Sequence, residues 1–281
     1  MNEQLTDIDD IVLHPFLRWA GGKRWLVQRL RNVLDIHAYG SYHEPFLGGG
    51  AMLFHFRPNH AYISDANDEL INAYKNVRDN IEGVINSIQK FGCGESSYYK
   101  IRALKTDDPV ILAARFIYLN QLSYNGIYRV NKKGEYNVPW GKRDNYIFDY
   151  SNLRKISSYL NQKSIQISHK DFDETLSLVQ KDALVFLDPP YTCSDINNPF
   201  IQYNQKSFSN KDQQRLSSFI DKVKAKGAYY ILTNANHEKI REIFDKGDIV
   251  IELTRSSGIG GRNARRGDYR ECIFTNINLN I

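Results

Sequence analysis

The stretch Ala183-Leu184-Val185-Phe186-Leu187-Asp188-Pro189-Pro190-Tyr191 decides the fold of this chain. Its first five residues are apolar, and a short apolar run of this kind is typical of a strand buried on both faces of a parallel sheet. The prolines that follow cannot continue a central strand. In open α/β sheets, ligands bind at the carboxyl ends of the strands. The sequence therefore predicts an α/β fold with a binding site at Asp188-Pro189-Pro190-Tyr191.

The residue types in Asp188-Pro189-Pro190-Tyr191 suit a flat ring that carries an amino group. An ionised Asp188 only accepts hydrogen bonds, and the Pro189 carbonyl offers a second acceptor in a stretch of backbone that proline stiffens. Tyr191 offers an aromatic face on which a base can stack. An exocyclic amine is a poor nucleophile because its lone pair is delocalised, and acceptors for its N–H groups counteract this. The alternative is an ordinary proline-containing turn.

Composition indicates a globular protein of ordinary character. The chain has 281 residues, of which 42% are hydrophobic and 25% are charged. The net charge of +5 suits a polyanionic partner without requiring one. Cys93, Cys193 and Cys272 lack metal-ligand spacing, which predicts neither a metal site nor disulfides, and a reducing cytoplasm is the expected compartment. Neither a signal peptide nor a membrane span of ~18 apolar residues is expected.

Helical and strand patterns alternate along most of the chain, which predicts a mainly parallel sheet with an antiparallel edge at its last strands. Residues 91–150 interrupt the alternation with many tyrosines, asparagines and basic residues, and we interpret them as an insertion. The predicted helices cover residues 24–34, 68–88 and 109–121, with others that begin at Ala51 and at an Asn210 cap. The predicted strands cover residues 42–44, 61–64, 165–167, 183–187, 228–232, 249–253 and 272–277.

A second predicted site lies near the N-terminus. Glu44-Pro45-Phe46-Leu47-Gly48-Gly49-Gly50 connects a predicted strand to a helix, and its glycines allow a ligand to approach the backbone closely. Asp65 follows about 20 residues after Glu44, a spacing at which an acidic residue binds ribose hydroxyls. Residues 16–23 contain Gly-Gly-Lys, but Arg24 replaces the Ser or Thr of a phosphate loop, so Lys23 is expected to meet a cofactor carboxylate instead. The alternative is a tight turn beside a surface aspartate.

In their order along the chain, these motifs resemble those of the Dam-type (alpha-group) site-specific DNA adenine N6-methyltransferases. The resemblance implies a Rossmann-like sheet that binds S-adenosylmethionine and an inserted, largely helical target-recognition domain that carries a β-hairpin. It implies a catalytic domain formed by residues 1–75 and 155–281, with residues 76–154 as the inserted domain. The matching stretches are residues 16–23, 44–50, 64–65, 119–141, 170–172 and 186–191.

The resemblance also implies roles for individual residues, and no metal is expected. The implied catalytic residues are Asp188, Pro189, Pro190 and Tyr191. The implied cofactor contacts are Trp19, Ala20, Gly22, Lys23, Glu44, Pro45, Phe46, Gly48, Gly50, Asp65, Asp171, Phe172 and Asp188. The implied DNA contacts are Arg18, Tyr124, Asn125, Ile127, Arg129, Pro139, Lys142 and Arg143.

Residues 120–131 and 135–141 resemble the recognition hairpin of that family, and their chemistry suits DNA. Arg129 can bind guanine O6 and N7 in the major groove, and Ile127 can touch a thymine methyl group. Tyr124 can wedge into the base stack. The residues that can meet phosphates are Lys132, Lys133, Lys142 and Arg143. The alternative is a solvated basic hairpin.

The implied function is methylation of adenine N6 in double-stranded DNA, by base flipping and direct in-line transfer, with GATC as the leading site. Arg18 and Arg143 stand where relatives often carry a lysine and an aromatic, so recognition of the outer base is left open. Residues 255–270 resemble a mobile loop near the DNA, with a disordered surface loop as the alternative.

Three further questions are left open by the sequence. An RNA methyltransferase acting on an exocyclic amine and a catalytically silent DNA-binding protein are the alternatives to the implied enzyme. A cognate restriction endonuclease as a partner is also left open. We expect a monomer in the cytoplasm of a bacterium or in a phage-infected cell.

Overall fold

The structure is a computed structural model, and it describes residues 12–191, 208–256 and 268–279. These residues form a mixed α/β fold, as predicted. Backbone contacts divide the chain into unit 1, Met1–Asp35 with Leu47–His169, and unit 2, Ile36–Phe46 with Lys170–Ile281. No helix in the described ranges has the length and apolar character needed to cross a bilayer.

The described helices and strands follow one another in an α/β order. They are α1 (Arg24–Leu30), β1 (Tyr42–Glu44), α2 (Ala51–Phe56), β2 (His60–Asp65), α3 (Asp68–Asp79), α4 (Ile81–Lys90), α5 (Gly94–Ala103), α6 (Pro109–Leu122), α7 (Tyr150–Gln162), β3 (Ser164–His169), β4 (Leu184–Leu187), α8 (Asn210–Ala225), β5 (Tyr229–Ala235), α9 (Glu238–Phe244), β6 (Ile249–Ser256) and β7 (Asp268–Thr275). Short 3-10 helices cover Ile36–Ala38, Tyr124–Gly126 and Phe172–Leu178.

Unit 1 places a mainly helical assembly beside the parallel pair of β2 and β3. Helix α6 lies at its centre and packs against α3, α4 and α5. The Asp108 carboxylate caps α6 by accepting the N–H groups of Val110 and Ile111, and Pro109 occupies the first turn, where no N–H is needed. Nine residues of α6 are buried, so this helix is enclosed on most sides and can position whatever follows its C-terminus.

The single long helix predicted over residues 68–88 is wrong, because α3 and α4 are separate helices. Asn80 leaves the helical conformation, with φ −146° and ψ 42°. Just before it, the Arg78 carbonyl accepts hydrogen bonds from Ser157 Oγ (3.1 Å) and Asn161 Nδ2 (2.6 Å) of α7. A carbonyl at a helix end needs such partners, and these come from side chains about 80 residues away.

Two predicted helix limits also differ from the structure. Helix α1 ends at Leu30 rather than at Leu34. Ser209, not Asn210, caps α8, because Ser209 Oγ accepts the Asp212 N–H while the Asp212 carboxylate accepts the Ser209 N–H. This reciprocal capping box satisfies two groups at once, which an Asn210 cap would not do.

Unit 2 contains the strand order β1-β4-β5-β7-β6. Strand β4 lies parallel to β1 and β5, whereas β7 is antiparallel to both β5 and β6. All four residues of β4 are buried, which confirms the interpretation of the apolar run at 183–187. The expected antiparallel edge is likewise present in β7 and β6.

Residues 123–141, here called the recognition loop, contain a looser hairpin than the resemblance implied. Two isolated antiparallel bridges close it, Ser123 to Trp140 and Val130 to Tyr136. The left-handed Asn125, with φ 55°, sits in a 3-10 turn between them and interrupts a regular ladder. The assignment of residues 76–154 to DNA recognition stays a prediction.

Candidate active site and DNA interface

The predicted catalytic loop, Asp188-Pro189-Pro190-Tyr191, directly follows β4 in unit 2. Asp188 is partly exposed, and one of its carboxylate oxygens is fixed by the neighbouring strand β5. Thr233 Oγ1 of β5 donates a hydrogen bond to Asp188 Oδ1 at 2.8 Å. The buried hydroxyl of Thr233 therefore holds the carboxylate at the carboxyl end of the sheet, where ligands of α/β proteins bind.

Tyr191 is fixed in a similar way by a carboxylate of β7. Its hydroxyl donates to Glu271 Oε2 at 2.7 Å, and Glu271 is only 2% exposed. Burial, followed by the nearby charges of Asp188 and Glu271, raises the pKa of Tyr191 well above its usual range. The phenol is therefore a neutral hydrogen-bond donor at physiological pH.

An aromatic pair in unit 2 contains two of the implied cofactor contacts. The rings of Phe46 and Phe172 stack with centroids 5.4 Å apart and an interplanar angle of 29°. Arg215 of α8 lies over the Phe172 ring at 4.8 Å and donates to Asp171 Oδ1 (2.6 Å) and Asp173 Oδ2 (3.0 Å). Arg215 thus fixes both members of the Asp171-Phe172 pair.

The remaining implied contacts of unit 2 precede this aromatic pair in the chain. Glu44 ends β1, and its buried carboxylate accepts a hydrogen bond from the Tyr42 hydroxyl at 2.8 Å. Pro45 is buried as well. Glu44 is thus the last residue of a parallel strand, where the sequence predicted the end of a strand.

In unit 1, the Asp65 carboxylate at the end of β2 organises the glycine-rich turn. Asp65 Oδ2 accepts the Gly48 N–H and Oδ1 accepts the Asn67 N–H, both at 3.0 Å. Burial raises the pKa of Asp65, and these two N–H groups oppose the rise. Each carboxylate oxygen can accept a further hydrogen bond, so Asp65 can hold the turn and still receive a hydroxyl of a ligand.

Gly48 and Gly50 are required by close packing as well as by their backbone conformation. Gly48 has φ +47°, and a Cβ atom there would lie 2.8 Å from Trp19 Cδ1. Gly50 has φ +67°, and its Cβ atom would lie 2.7 Å from the Tyr74 hydroxyl. Side chains are excluded at both positions, because the Trp19 indole packs against Gly48 and the Tyr74 hydroxyl against Gly50.

The segment before α1 forms a tight turn that contains Trp19, Ala20, Gly22 and Lys23. The Gly22 N–H donates to the Trp19 carbonyl at 3.2 Å, and Ala20 and Gly22 are exposed. Lys23 is 4% exposed, and its ammonium donates to the Gly21 carbonyl at 2.9 Å. The ammonium therefore lies against the exposed turn, where a ligand carboxylate can reach the same backbone.

Two arginines of the predicted DNA interface converge on the C-terminus of α6. Arg18 Nη1 and Arg143 Nη1 both donate to the Gln121 carbonyl, at 3.3 Å and 2.8 Å, and Arg18 Nη1 also donates to the Ser123 carbonyl at 3.2 Å. Burial, and then the charge of Arg143, lowers the pKa of Arg18. The negative end of a helix favours cations, so this carbonyl stabilises two like charges that otherwise repel.

The recognition loop brings together the other predicted DNA contacts. Arg129 is exposed, and Asn137 holds its guanidinium through Nε to Oδ1 (2.8 Å) and Nη2 to the main-chain O (3.3 Å). Tyr124 is 50% exposed and donates its N–H to the Pro139 carbonyl at 3.0 Å. The exposed residues of this surface also include Asn125, Pro139 and Lys142, with Ile127 partly exposed.

Sequence reasoning missed Thr233, Glu271 and Arg215. The available signal for Glu271 was a single carboxylate next to the apolar run Cys272-Ile273-Phe274.

Cys193 and residues 257–267 of the predicted mobile loop lie outside the described residues, whereas residues 255–256 and 268–270 belong to β6 and β7. In the described part of the chain, no group of three or more His, Cys, Asp or Glu is arranged to hold a metal ion.

In unit 2, a carboxylate and a tyrosine directly follow a buried parallel strand, and in unit 1 an aspartate holds a glycine-rich turn. The chain belongs to the D12 class N6 adenine-specific DNA methyltransferase family, which matches residues 19–257. It is therefore an adenine-specific DNA methyltransferase with the Rossmann-like fold of that class, as the sequence predicted.

Similar proteins carry corresponding names. Type II methyltransferase M1.LlaDCHI of Lactococcus lactis subsp. cremoris is 35% identical over 97% of this chain and 98% of its own length. Type II methyltransferase M.MjaIII of Methanocaldococcus jannaschii is 36% identical over 79% of this chain and 84% of its own length. A DNA adenine methylase of Vibrio cholerae is 26% identical over 92% of this chain and 95% of its own length.

The family implies S-adenosylmethionine as the methyl donor, and the residues present fit this molecule. In unit 1, Asp65 retains acceptor capacity for hydroxyls beside the glycine-rich turn whose Gly48 N–H it accepts. In unit 2, the Phe46 and Phe172 rings give apolar faces for a purine, next to the Asp171 carboxylate. A hydroxyl acceptor in one unit and apolar ring faces in the other are the groups that suit the ribose and the base of a nucleoside.

Proposed function

We propose that this enzyme methylates adenine N6 within a short site of double-stranded DNA, with GATC as the first candidate. Asp188, Pro189, Pro190 and Tyr191 form its catalytic loop. The observation that carries the proposal is the Asp188 carboxylate, which Thr233 fixes at the carboxyl end of the buried strand β4. GATC is supported by the resemblance of the recognition loop to that of Dam-type enzymes.

The proposed mechanism assigns a task to each residue of the loop. The target adenine leaves the base stack and lies against the ring of Tyr191. The Asp188 carboxylate and the Pro189 carbonyl accept the two N–H groups of N6, which directs the nitrogen lone pair out of the ring plane. When bound, S-adenosylmethionine would supply a methyl group already activated on a sulfonium, with the neutral thioether as the leaving group, and the proton lost by N6 would pass to water. The loop therefore accelerates transfer mainly by orientation and by exclusion of water.

We assign the cofactor contacts motif by motif along the chain. Lys23 and the N–H groups of its turn meet the amino-acid carboxylate, Asp65 meets the ribose, and Phe46 and Phe172 bind the adenine with Asp171 beside them. The complete proposed set is Trp19, Ala20, Gly22, Lys23, Glu44, Pro45, Phe46, Gly48, Gly50, Asp65, Asp171, Phe172 and Asp188. Its support is the geometry within each unit and the order of the motifs along the chain.

Substitution Arg215→Met is expected to weaken cofactor binding about 3- to 10-fold, because an exposed ion pair and a cation–π contact together contribute roughly 1 kcal/mol. The long apolar side chain keeps the packing of α8 but no longer holds Asp171 or polarises the Phe172 ring. Calorimetric titration with S-adenosylmethionine measures the effect. Asp221→Ala, which breaks a surface pair with Lys246, is the matched control and should bind like the wild type. Equal affinities for both variants would contradict the Asp171-Phe172 assignment.

We assign DNA recognition to residues 76–154 together with Arg18. The contacts are Arg18, Tyr124, Asn125, Ile127, Arg129, Pro139, Lys142 and Arg143. Arg129 carries the strongest case for base reading, because Asn137 presents its planar guanidinium at an exposed tip, and a planar fork matches guanine O6 and N7.

The Arg129→Ala variant is expected to lose about 1–3 kcal/mol of discrimination at one base position. Rates of methylation of duplexes with single substitutions across the site measure this loss. Lys133→Ala, also in the recognition loop and exposed, is the control: it should weaken all duplexes alike and lower the salt dependence of binding. If Arg129→Ala weakens all duplexes equally, Arg129 is a phosphate contact instead.

The function is tested by transfer of tritiated methyl groups from S-adenosylmethionine to two duplexes, identical except that GATC is scrambled in one. Labelling of the GATC duplex alone, as N6-methyladenine, is the expected result. Labelling of genomic DNA but of neither duplex would overturn GATC and retain the reaction. Labelling of a matched RNA alone would favour an RNA methyltransferase. Cofactor binding without transfer would favour a catalytically silent DNA-binding protein.

We further propose that the enzyme acts as a monomer in the cytoplasm of a bacterium or of a phage-infected cell. Two of its relatives are named type II methyltransferases, which supports a cognate restriction endonuclease as a partner in the same system. Light scattering of the free enzyme and of its DNA complex tests the monomer.

A further inference from the structure

We propose that Thr233 and Glu271 act together as positioning residues that hold the catalytic loop in its reactive geometry. We call this pair the β5–β7 clamp, since Thr233 lies on β5 and Glu271 on β7. The inference rests on the proposed roles of Asp188 and Tyr191.

The strand register places both clamp residues on one face of the sheet. Thr233 pairs with Ile273, and Ala235 pairs with Glu271. Directly opposite residues of an antiparallel pair share a face, as do residues two apart on one strand. Thr233 and Glu271 are therefore diagonal neighbours on the same face. A rigid, hydrogen-bonded ladder thus supports both side chains.

From this face, each clamp residue holds a different part of the loop. Thr233 donates to the Asp188 carboxylate at 2.8 Å, and Glu271 accepts from the Tyr191 hydroxyl at 2.7 Å. Thr233 and Glu271 therefore hold the two ends of the tetrapeptide from adjacent strands, so the carboxylate and the aromatic ring are oriented relative to each other.

Burial of the Glu271 carboxylate destabilises the fold, so its presence there indicates a function for its charge. Glu271 is 2% exposed, and taking a carboxylate out of water costs several kcal/mol unless partners compensate. A leucine would fill the position without that cost. The carboxylate instead accepts a charge-assisted hydrogen bond, which is stronger than a neutral one. The Glu271 carboxylate therefore fixes the hydroxyl end, and with it the ring orientation, of Tyr191.

The clamp should influence the chemical step more than binding. Asp188 and Tyr191 contact the reacting base in the proposed mechanism, and in-line transfer demands accurate orientation of N6. A displacement of about 1 Å can cost ~10²-fold in rate. Cofactor and DNA are held mainly by other residues, so their affinities should change little.

Single-turnover methylation rates of paired variants test the clamp. Thr233→Val removes the hydroxyl at nearly constant shape, and Thr233→Ser retains it. Glu271→Leu removes the acceptor, and Glu271→Gln retains one. We expect the rate constant to fall roughly 10- to 100-fold in the first variant of each pair and to stay within a few-fold of wild type in the second. Dissociation constants for duplex and cofactor should stay near their wild-type values.

A double-mutant cycle with Tyr191→Phe distinguishes the clamp from a merely structural role. If Glu271 acts through the Tyr191 hydroxyl, Glu271→Leu should cause no further loss in the Tyr191→Phe enzyme. Rates are expressed per cofactor-binding site, so partial unfolding does not imitate the effect. Wild-type rates per site in Thr233→Val and Glu271→Leu would overturn the clamp. If Glu271→Leu does not fold, the Thr233 pair and Glu271→Gln decide.

Asp188→Ala, measured in parallel, separates the clamp from the proposed function. An inactive Asp188→Ala enzyme with normal clamp variants would overturn the clamp alone. A fully active Asp188→Ala enzyme would overturn the catalytic loop, and the clamp with it.

Discussion

Asp188→Ala is expected to reduce methyl transfer by on the order of 10²–10³-fold or more, the effect of removing one preorganised polar group at a reacting centre. The substitution removes the proposed acceptor for the N6 hydrogens and leaves the Thr233 hydroxyl without its 2.8 Å partner. Single-turnover transfer to a cognate duplex measures the chemical step. Fluorescence anisotropy of the same duplex should show most of the DNA affinity retained, because the residues of the recognition loop are unchanged.

Asp188→Asn refines this test. The amide keeps the size and one acceptor oxygen but replaces the other oxygen with a donor, which would face an amine that also donates. We expect a rate of methyl transfer between that of the wild type and that of Asp188→Ala. Asp221→Ala removes a surface carboxylate of the same unit and should leave the rate unchanged. Methyl transfer by Asp188→Ala at the wild-type rate would refute the assignment of the catalytic loop.

The second large effect is expected for Gly141→Ala, at the end of the recognition loop. A Cβ atom on Gly141 would lie 2.6 Å from the Ser123 carbonyl oxygen and 2.7 Å from that of Leu122. Both atoms belong to the backbone at the C-terminus of α6, so neither can swing aside. The Gly141 N–H, which donates to the Leu122 carbonyl at 2.9 Å, would be displaced, and with it the recognition loop that Gly141 ends.

We expect Gly141→Ala to lower the free energy of unfolding by about 1–3 kcal/mol, the usual cost of an added group in a packed site. Discrimination between the cognate and the scrambled duplex should fall at least about tenfold. This factor corresponds to a loss of about 1.4 kcal/mol in the free-energy difference between the two duplexes. Thermal unfolding and methylation rates on the two duplexes measure these effects. Arg18 and Arg143 bind carbonyls of the same helix end, so the perturbation reaches the predicted base contacts.

Gly134→Ala is the matched control in the same loop. Gly134 has φ +77°, but a Cβ atom there would meet nothing within 4 Å. The substitution should therefore lower the free energy of unfolding by only about 1–2 kcal/mol, because alanine disfavours the left-handed backbone conformation of this exposed turn. Sequence discrimination should be retained in this variant. Equal discrimination by Gly134→Ala and Gly141→Ala would show that the docking of the loop on α6 does not govern DNA reading.

The parts of the structure that the sequence predicted are those decided by local pattern. Strand β4 is buried on both faces, so its residues are uniformly apolar and its end is marked by Asp188 and prolines. The glycine turn and Asp65 stand at a spacing that reflects one strand–helix–strand unit. The break at Asn80 was missed because the apolar periodicity continues across it, while the carbonyl of Arg78 just before it accepts hydrogen bonds from side chains of α7.

The supporting residues of the site were unpredictable for the same reason. Thr233 reaches Asp188 across 45 residues of sequence, and Glu271 reaches Tyr191 across 80. Their roles depend on which strands become neighbours and in which register, and neither is encoded by nearby residues. Arg215 likewise acts through a helix 44 residues beyond Asp171. Residues that touch a ligand often lie in recognisable motifs, whereas the residues that orient them need not.

The position of β7 has a consequence for the nascent chain during translation. β7 is made after β6, yet it takes the place beside β5, and β6 joins the sheet through β7. While the ribosome is still translating the segment before Asp268, β5 has an open edge, and open edges promote aggregation. The tetrapeptide Asp188-Pro189-Pro190-Tyr191 has by then been made, but Glu271 has not. A message truncated before β7 should therefore yield an inactive, aggregation-prone chain rather than a weakened methylase.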